Sequence, residues 1–301
     1  MRLIRAELIK LRTTNMWWIF LLCSVAFTGL ALWINALQAN SQLDDSYVSQ
    51  EPPPGMSDAD RAQFEEYQRQ EQERIAAAHS GAGLAKIAAN VYTSGQFFGL
   101  MLVMLMAILL ITNEFYHQTA TATFLATPKR TKVIVAKLVT AAIMGFAFWL
   151  LTTAISVAVG VAYFSGEGVG NSLGHWTAQQ AILLNLLVYV LWAIFGIGIG
   201  VLIRSQLGAT ITATALYTIG TYAALIVLAL IRQFVIKEDW VFESAVYIPP
   251  LASQHVVGSL ASQLGDDTDL PPRWAGAVVL IAWAVILGTI GTLITRKRDV
   301  A

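Results

Sequence analysis

The sequence predicts an all-α, polytopic membrane protein: six transmembrane helices, an N-terminal amphipathic interfacial helix, a short cytoplasmic coupling helix and re-entrant-like helices before the last span. Three observations lead there. Hydrophobic residues make up 56% of the chain and charged residues 13%, too few charges to clothe a soluble domain of 301 residues. The charges are gathered into a few segments. Between these lie six uncharged stretches, roughly 16–37, 91–112, 138–164, 178–203, 207–231 and 274–295, each near the ~20 residues that cross ~30 Å of hydrocarbon as a helix.

The N-terminal MRLIRAELIKLRTTN places Ile4, Leu8 and Leu11 on one helical face and Arg5 and Arg12 on another. A helix over 1–15 is therefore expected to lie on the membrane surface, its basic residues near anionic lipid heads. The stretch 16–37 is long for the apolar part of a secretory signal, and five further stretches follow, so it is expected to stay as an anchor. Cys23 is the sole cysteine. It allows neither an intrachain disulfide nor a thiolate metal site and is expected to be a small packing residue.

Residues 38–90 form a long outer loop. Glu51-Pro52-Pro53-Pro54-Gly55 is a stiff spacer. Ser57 with Asp60 forms a capping pattern, Glu65 and Arg69 stand four apart in the favourable order, and Gly81 marks an expected helix stop. A polar helix over 57–79 is expected outside the membrane. A solvated spacer is the plain reading of it and a site for an extracytoplasmic partner the sharper one.

Between the second and third stretches lies NEFYHQTATATFLATPKRTKVIVAKL, residues 113–138. A short helix is expected over 118–126. Thr127 then serves as N-cap and Pro128 as first residue of the helix that becomes the third span. The elbow carries Lys129, Arg130 and Lys132. A positive stop signal explains those bases, but not Glu114 or the small, Thr-rich run. The other long loop, 232–273, is broken at Pro249-Pro250 and is expected to dip into the outer leaflet as two short amphipathic pieces.

Lys and Arg set the orientation. One side collects Arg2, Arg5, Lys10 and Arg12, then Lys129, Arg130, Lys132 and Lys137, then Arg204, then Arg296, Lys297 and Arg298. Its segments are short, so its basic density is high, and both termini are expected in the cytoplasm of a cell-membrane protein.

Signatures of lone chemistry are missing. There is no G-x-x-x-x-G-K-[ST] phosphate loop. GIGIG at 196–200 sits in an apolar span with no strand before it; Gly196 and Gly200 instead make a small-xxx-small spacing for close helix packing. The four histidines lack ligand spacing, so no metal site is expected. No acid or base occupies the middle of a span, which points away from ion-coupled transport. An enzyme acting alone is not expected, nor a nucleic-acid partner. Two stripes could line a path. Thr210, Thr214, Thr218 and Tyr222 share one helical face, as do Phe97, Met101, Met104 and Ile108. Ordinary helix packing is the plain alternative for both.

Glu114 with its aromatic neighbour, the ATATFLATPKR run, and the lysine before the third span resemble the cytoplasmic loop of type-2 ABC exporter permeases, in particular drug or antibiotic export subunits of high-GC Gram-positive bacteria. AELIKLRTTNMWWI is similar to their opening segment, and the six-span layout also resembles theirs, so the likeness covers nearly the whole of 1–301. It implies one permease domain that couples ATP hydrolysis to outward movement of an amphiphilic or hydrophobic substrate. It implies a soluble ATPase subunit that binds the ATP and Mg, no cofactor in this chain, and a second permease copy in a homo- or heterodimer. Around Gln118–Arg130 it implies a coupling helix resting on the ATPase, with Glu114, Gln118, Thr123, Pro128, Lys129 and Arg130 at the contact. The two stripes would then border the substrate path, in contact with membrane lipid. Two alternatives stay open: a non-transporting membrane scaffold or signalling subunit, and a secondary transporter.

Overall fold

A computed structural model describes residues 2–44, 52–53, 55–119, 130–203, 205–236, 240–264 and 270–297. In chain order the helices are α1 (Arg2–Thr13), α2 (Met16–Gln42), α3 (Asp58–His79), α4 (Gly81–Tyr92), α5 (Gln96–Tyr116), α6 (Arg130–Gly166), α7 (Trp176–Leu202) and α8 (Gln206–Phe234). Then come α9 (Trp240–Glu243), a 3-10 turn (Ser244–Tyr247), α10 (Pro249–Val257), α11 (Ser259–Leu264) and α12 (Arg273–Lys297). No strand occurs among the described residues. Six segments are long and apolar enough to cross a membrane: α2, α4 with α5, α6, α7, α8 and α12. The protein is a multi-pass membrane protein. Its elbow end carries α1, the C-terminus of α5 and the start of α6. Its cap end carries α3, α4 and α9 to α11.

The core forms where α5 and α7 meet. Neither helix has a polar face, so both can be enclosed by their neighbours. Met104, Ile108, Tyr189 and Ala193 are each at most 1% exposed. Gly196 and Gly200 are what let the backbones close. A Cβ on Gly196 would press on the Met104 carbonyl, and one on Gly200 on the Ile111 side chain. The sequence's small-xxx-small spacing thus faces α5.

A second apolar cluster lies toward the cap, around Leu32, Ile87, Tyr92, Phe164 and Ala178. It exists because α2 and α6 run long. The 37 residues of α6 extend ~55 Å at 1.5 Å per residue, well beyond the hydrocarbon. Here the structure departs from the sequence reading. Residues 81–90 were expected in a solvated loop, but α4 buries Ala85, Ile87, Ala88 and Ala89. Its run of small apolar residues can pack closely, so it joins the second span instead. Nor does Gly81 stop α3. Ser80, in extended conformation, ends α3, and its hydroxyl caps α4 by accepting from the Gly83 N–H at 3.0 Å.

The second span is broken at Thr93–Gly95, and backbone carbonyls beside the break accept additional bonds from side chains. Tyr189 donates to the Gly95 carbonyl at 2.9 Å and shares a 3.0 Å bond with Thr152. Tyr217 donates to the Phe97 carbonyl at 2.7 Å. These bonds tie the helices of Tyr189 and Tyr217 to the break. Nearby, Gln96 donates to Asn185 (3.1 Å), and the Trp192 indole donates to the Ser253 hydroxyl (2.7 Å).

That last bond fastens α10. This helix, expected to dip into the outer leaflet as a short piece, packs against the protein: Pro250, Leu251, Ala252, Ser253, Val256 and Val257 are all buried. Apolar on most sides, α10 is a packed element of the cap. α3 matches the expected polar helix. Ser57 accepts from the Asp60 N–H at 3.3 Å, and none of its side chains is buried. Arg69 pairs with Glu66, three residues away, and not with Glu65.

Candidate functional site

Four charged side chains from three helices meet at the elbow end. α1 presents Glu7 and Lys10, α5 presents Glu114 near its C-terminus, and α6 presents Lys137 two turns after its start. Lys10 Nζ donates to Glu7 Oε1 at 2.9 Å and to Glu114 Oε1 at 2.6 Å. Lys137 Nζ donates to Glu7 Oε2 and to Glu114 Oε1, both at 2.9 Å. The result is a closed ring in which carboxylates and ammoniums alternate and the net charge is zero.

Three members of the ring are buried. The side chains of Lys137, Glu7 and Glu114 are 3%, 5% and 9% exposed, whereas Lys10 is 47% exposed. Taking such charges out of water costs several kcal/mol each unless every one is paired. Pairing all four together is the condition for burying them. Burial alone would lower the Lys10 ammonium. Its hydrogen bonds to Glu114 and Glu7 outweigh that and hold it above the ordinary 10.5.

Mechanically, the ring joins the two arms of the elbow to the interfacial helix. α5 enters the elbow and α6 leaves it. A displacement of either arm strains bonds to the other arm and to α1. Past Glu114, α5 ends in a tight closure. The Thr119 N–H donates to the Glu114 carbonyl at 3.0 Å, and Gln118 is held at φ 54°. A glutamine in that left-handed region costs on the order of 1 kcal/mol. Gln118 is exposed.

The expected ATPase contacts therefore divide. Glu114 is turned inward, with its carboxylate committed to Lys10 and Lys137, so any influence on a partner runs through the ring. Gln118 lies at the surface. Arg130 opens α6. Thr123, Pro128 and Lys129, and with them the expected coupling helix, lie outside the described residues.

The proposed path residues divide as well. Phe97 and Tyr222 come together at the α5–α8 seam, with ring centroids 6.4 Å apart, and the Tyr217 ring lies 5.1 Å from that of Phe97. Met101 is half-buried. Met104 is enclosed against Gly196 and belongs to the core, in line with the packing alternative for its stripe and against a place on the path. Thr210 and Thr218 donate to their own helix, to the Gln206 (2.9 Å) and Thr214 (2.7 Å) carbonyls. They and Thr214 are half-buried along a helix whose central window is only 11% buried. Among the described residues no three His, Cys, Asp or Glu side chains converge as metal ligands.

Sequence reading missed the ring. Glu114 and Lys137 were each read within the elbow motif, and Lys137 also as an orientation charge, but not as partners. The i,i+3 pair Glu7–Lys10 was the available signal.

Residues 62–301, from within α3 to the C-terminus, match the family described as "Protein of unknown function (DUF2705)". The chain belongs to that family. The match contains Glu114 and Lys137 and leaves α1 and α2 outside it. No curated protein matches the chain.

Proposed function

We propose that this chain is the membrane subunit of an ATP-driven exporter, worked by a separate soluble ATPase that binds the elbow after α5. The observation that carries the reading is the ionic ring. It ties α5, α6 and α1 into one unit at the single place where a basic, Thr-rich segment interrupts the apolar chain. A push on that segment is carried into two spans at once, because withdrawing Glu114 or Lys137 from the ring would leave the buried ring with an uncompensated charge. α5 also forms the densest packing of the fold, on α7, so its displacement moves the core as a body.

The remaining parts follow from that role. Both termini and the elbow face the cytoplasm of the cell membrane, in keeping with their basic density. ATP and Mg belong to the partner, and this chain has no nucleotide loop. The lipid-facing helix α8, with Phe97 and Met101 of α5 beside it, would meet a second copy of the permease and border the route of an amphiphilic substrate. Co-expression with candidate ATPases tests the reading. Arg130→Glu combined with Pro128→Ala should release the ATPase or abolish ATP-dependent export. A variant complex that assembles and exports as before would refute it.

One observation favours a second reading. α3 projects without a buried side chain, as an assembly arm of a non-transporting scaffold would. Deleting 58–79 separates the two: an exporter keeps its flux, whereas a scaffold loses its envelope partner.

A further inference from the structure

A cleft of about 630 Å³ opens between α1, the start of α2 and the elbow end of α5. Its floor is apolar, formed by Leu11, Met16, Met106, Leu109 and Leu110. Its rim is polar, formed by Lys10, Asn113 and His117. We propose that this cleft binds an anionic amphiphile with a single apolar chain, a long-chain carboxylate, its head at Lys10 and Asn113 and its chain along Leu109 and the two methionines.

The head position follows from donors with capacity to spare. An ammonium has three N–H groups, and the ring uses Lys10 for two acceptors, Glu7 and Glu114. The half-exposed side of Lys10 faces the cleft. Asn113 is half-buried, and among the described residues its amide meets only the Met16 sulfur, at 4.0 Å, a weak acceptor. The His117 ring stands edge-on to Tyr116, 5.0 Å away, and is exposed. Three donor groups thus converge on one mouth, and a carboxylate is acceptor-only. Arg12 in the same last turn of α1 adds positive potential. Glu114 also lines the cleft, but the two lysines already neutralise it, so it does not draw a cation.

The tail position follows from the floor. The volume lies within the ~300–1,000 Å³ of small-molecule sites, which are mostly apolar with a few placed polar groups. Met16 and Met106 both line it, and unbranched thioether side chains adapt to a flexible chain. The inference stands apart from ATP-driven export, because it is read from binding to the chain alone.

The test uses the full chain in maltoside micelles and palmitate carrying a diazirine on its tail. After illumination and digestion, label is expected on peptides containing Met16, Met106 or Leu109. Unlabelled palmitate should compete, whereas hexadecanol, which lacks the carboxylate, and acetate, which lacks the chain, should not. Asn113→Leu with His117→Leu should lower labelling about five- to tenfold, the loss expected from about one hydrogen bond, without lowering the melting temperature. Leu109→Trp, which fills the floor, should do the same and guards against failure of the first variant to fold. Label spread evenly over α8 and α12, equal competition by hexadecanol, or undiminished labelling of Leu109→Trp would overturn the proposal. So would a two-chain phosphatidylglycerol competing as well as palmitate.

Discussion

Replacing Lys137 by Met tests the ring most sharply. The substitution keeps the length and apolar stem of the side chain and removes only the charge. Lys137 is 3% exposed and bonds both carboxylates at 2.9 Å, so solvent cannot take its place. Glu7 and Glu114 would be left with Lys10 alone, a buried net charge of −1. Removing one partner of a buried pair costs about 3–5 kcal/mol. For a chain of this size that is a fall in melting temperature of roughly 6–15 °C. Lys10→Met is the internal control. Lys10 is half exposed, so water can enter where its ammonium stood, and the cost is smaller, about 1–3 kcal/mol. Adding Glu114→Gln to Lys137→Met restores neutrality and should recover about 1–3 kcal/mol relative to the sum of the single changes. Thermal melts and denaturant titrations of the wild type, the three single variants and the double variant in one detergent provide the readout. If Lys137→Met costs no more than Lys10→Met, or the double variant is simply additive, the ring does not hold the elbow.

Three more expectations can be checked with the same material. Gly196→Val should cost about 1–3 kcal/mol or more by forcing α7 from α5, whereas Gly29→Ala, with nothing within 4 Å of the added carbon, should be neutral; equal melting temperatures would contradict the packing. Burial lowers His255 from its ordinary 6.5, against weaker hydrogen bonding to the Pro272 and Pro271 carbonyls, so the unfolded chain binds the proton first and stability falls as pH drops below about 6.5. His255→Gln should flatten that slope between pH 7.5 and 5.5, and an unchanged slope would assign it elsewhere. In a Cys23→Ser background, Glu65→Cys should react with an impermeant maleimide on intact cells and Gln118→Cys only after permeabilisation; the opposite pattern would invert the topology.

Most of the architecture is legible because long uncharged stretches leave a chain few alternatives in a membrane. The spans, the polar α3 and its Ser57 cap follow from local chemistry. What is not legible depends on distant partners. α4 looks like loop because it carries Lys86 and follows a polar helix, yet its small residues find α6 and α7. The break at Thr93–Gly95 is signalled by a Thr-Ser-Gly triplet, but the tyrosines that bond to it come from α7 and α8. The ring needs Glu7, Glu114 and Lys137, more than 100 positions apart at the extremes. Nothing in spacing along one helix reveals that they meet. Met104 shows the reverse: its stripe is real, but Gly196 opposite it makes that face core.

Site-specific cross-linking from the elbow addresses the central claim most directly. A photo-activatable amino acid at position 123 or 129 should join the chain to a soluble ATPase in intact cells, and Lys137→Met should weaken that adduct without touching the elbow itself. Adducts only to lipid or to extracytoplasmic proteins, or an isolated chain that moves cargo in liposomes with no ATPase present, would contradict it.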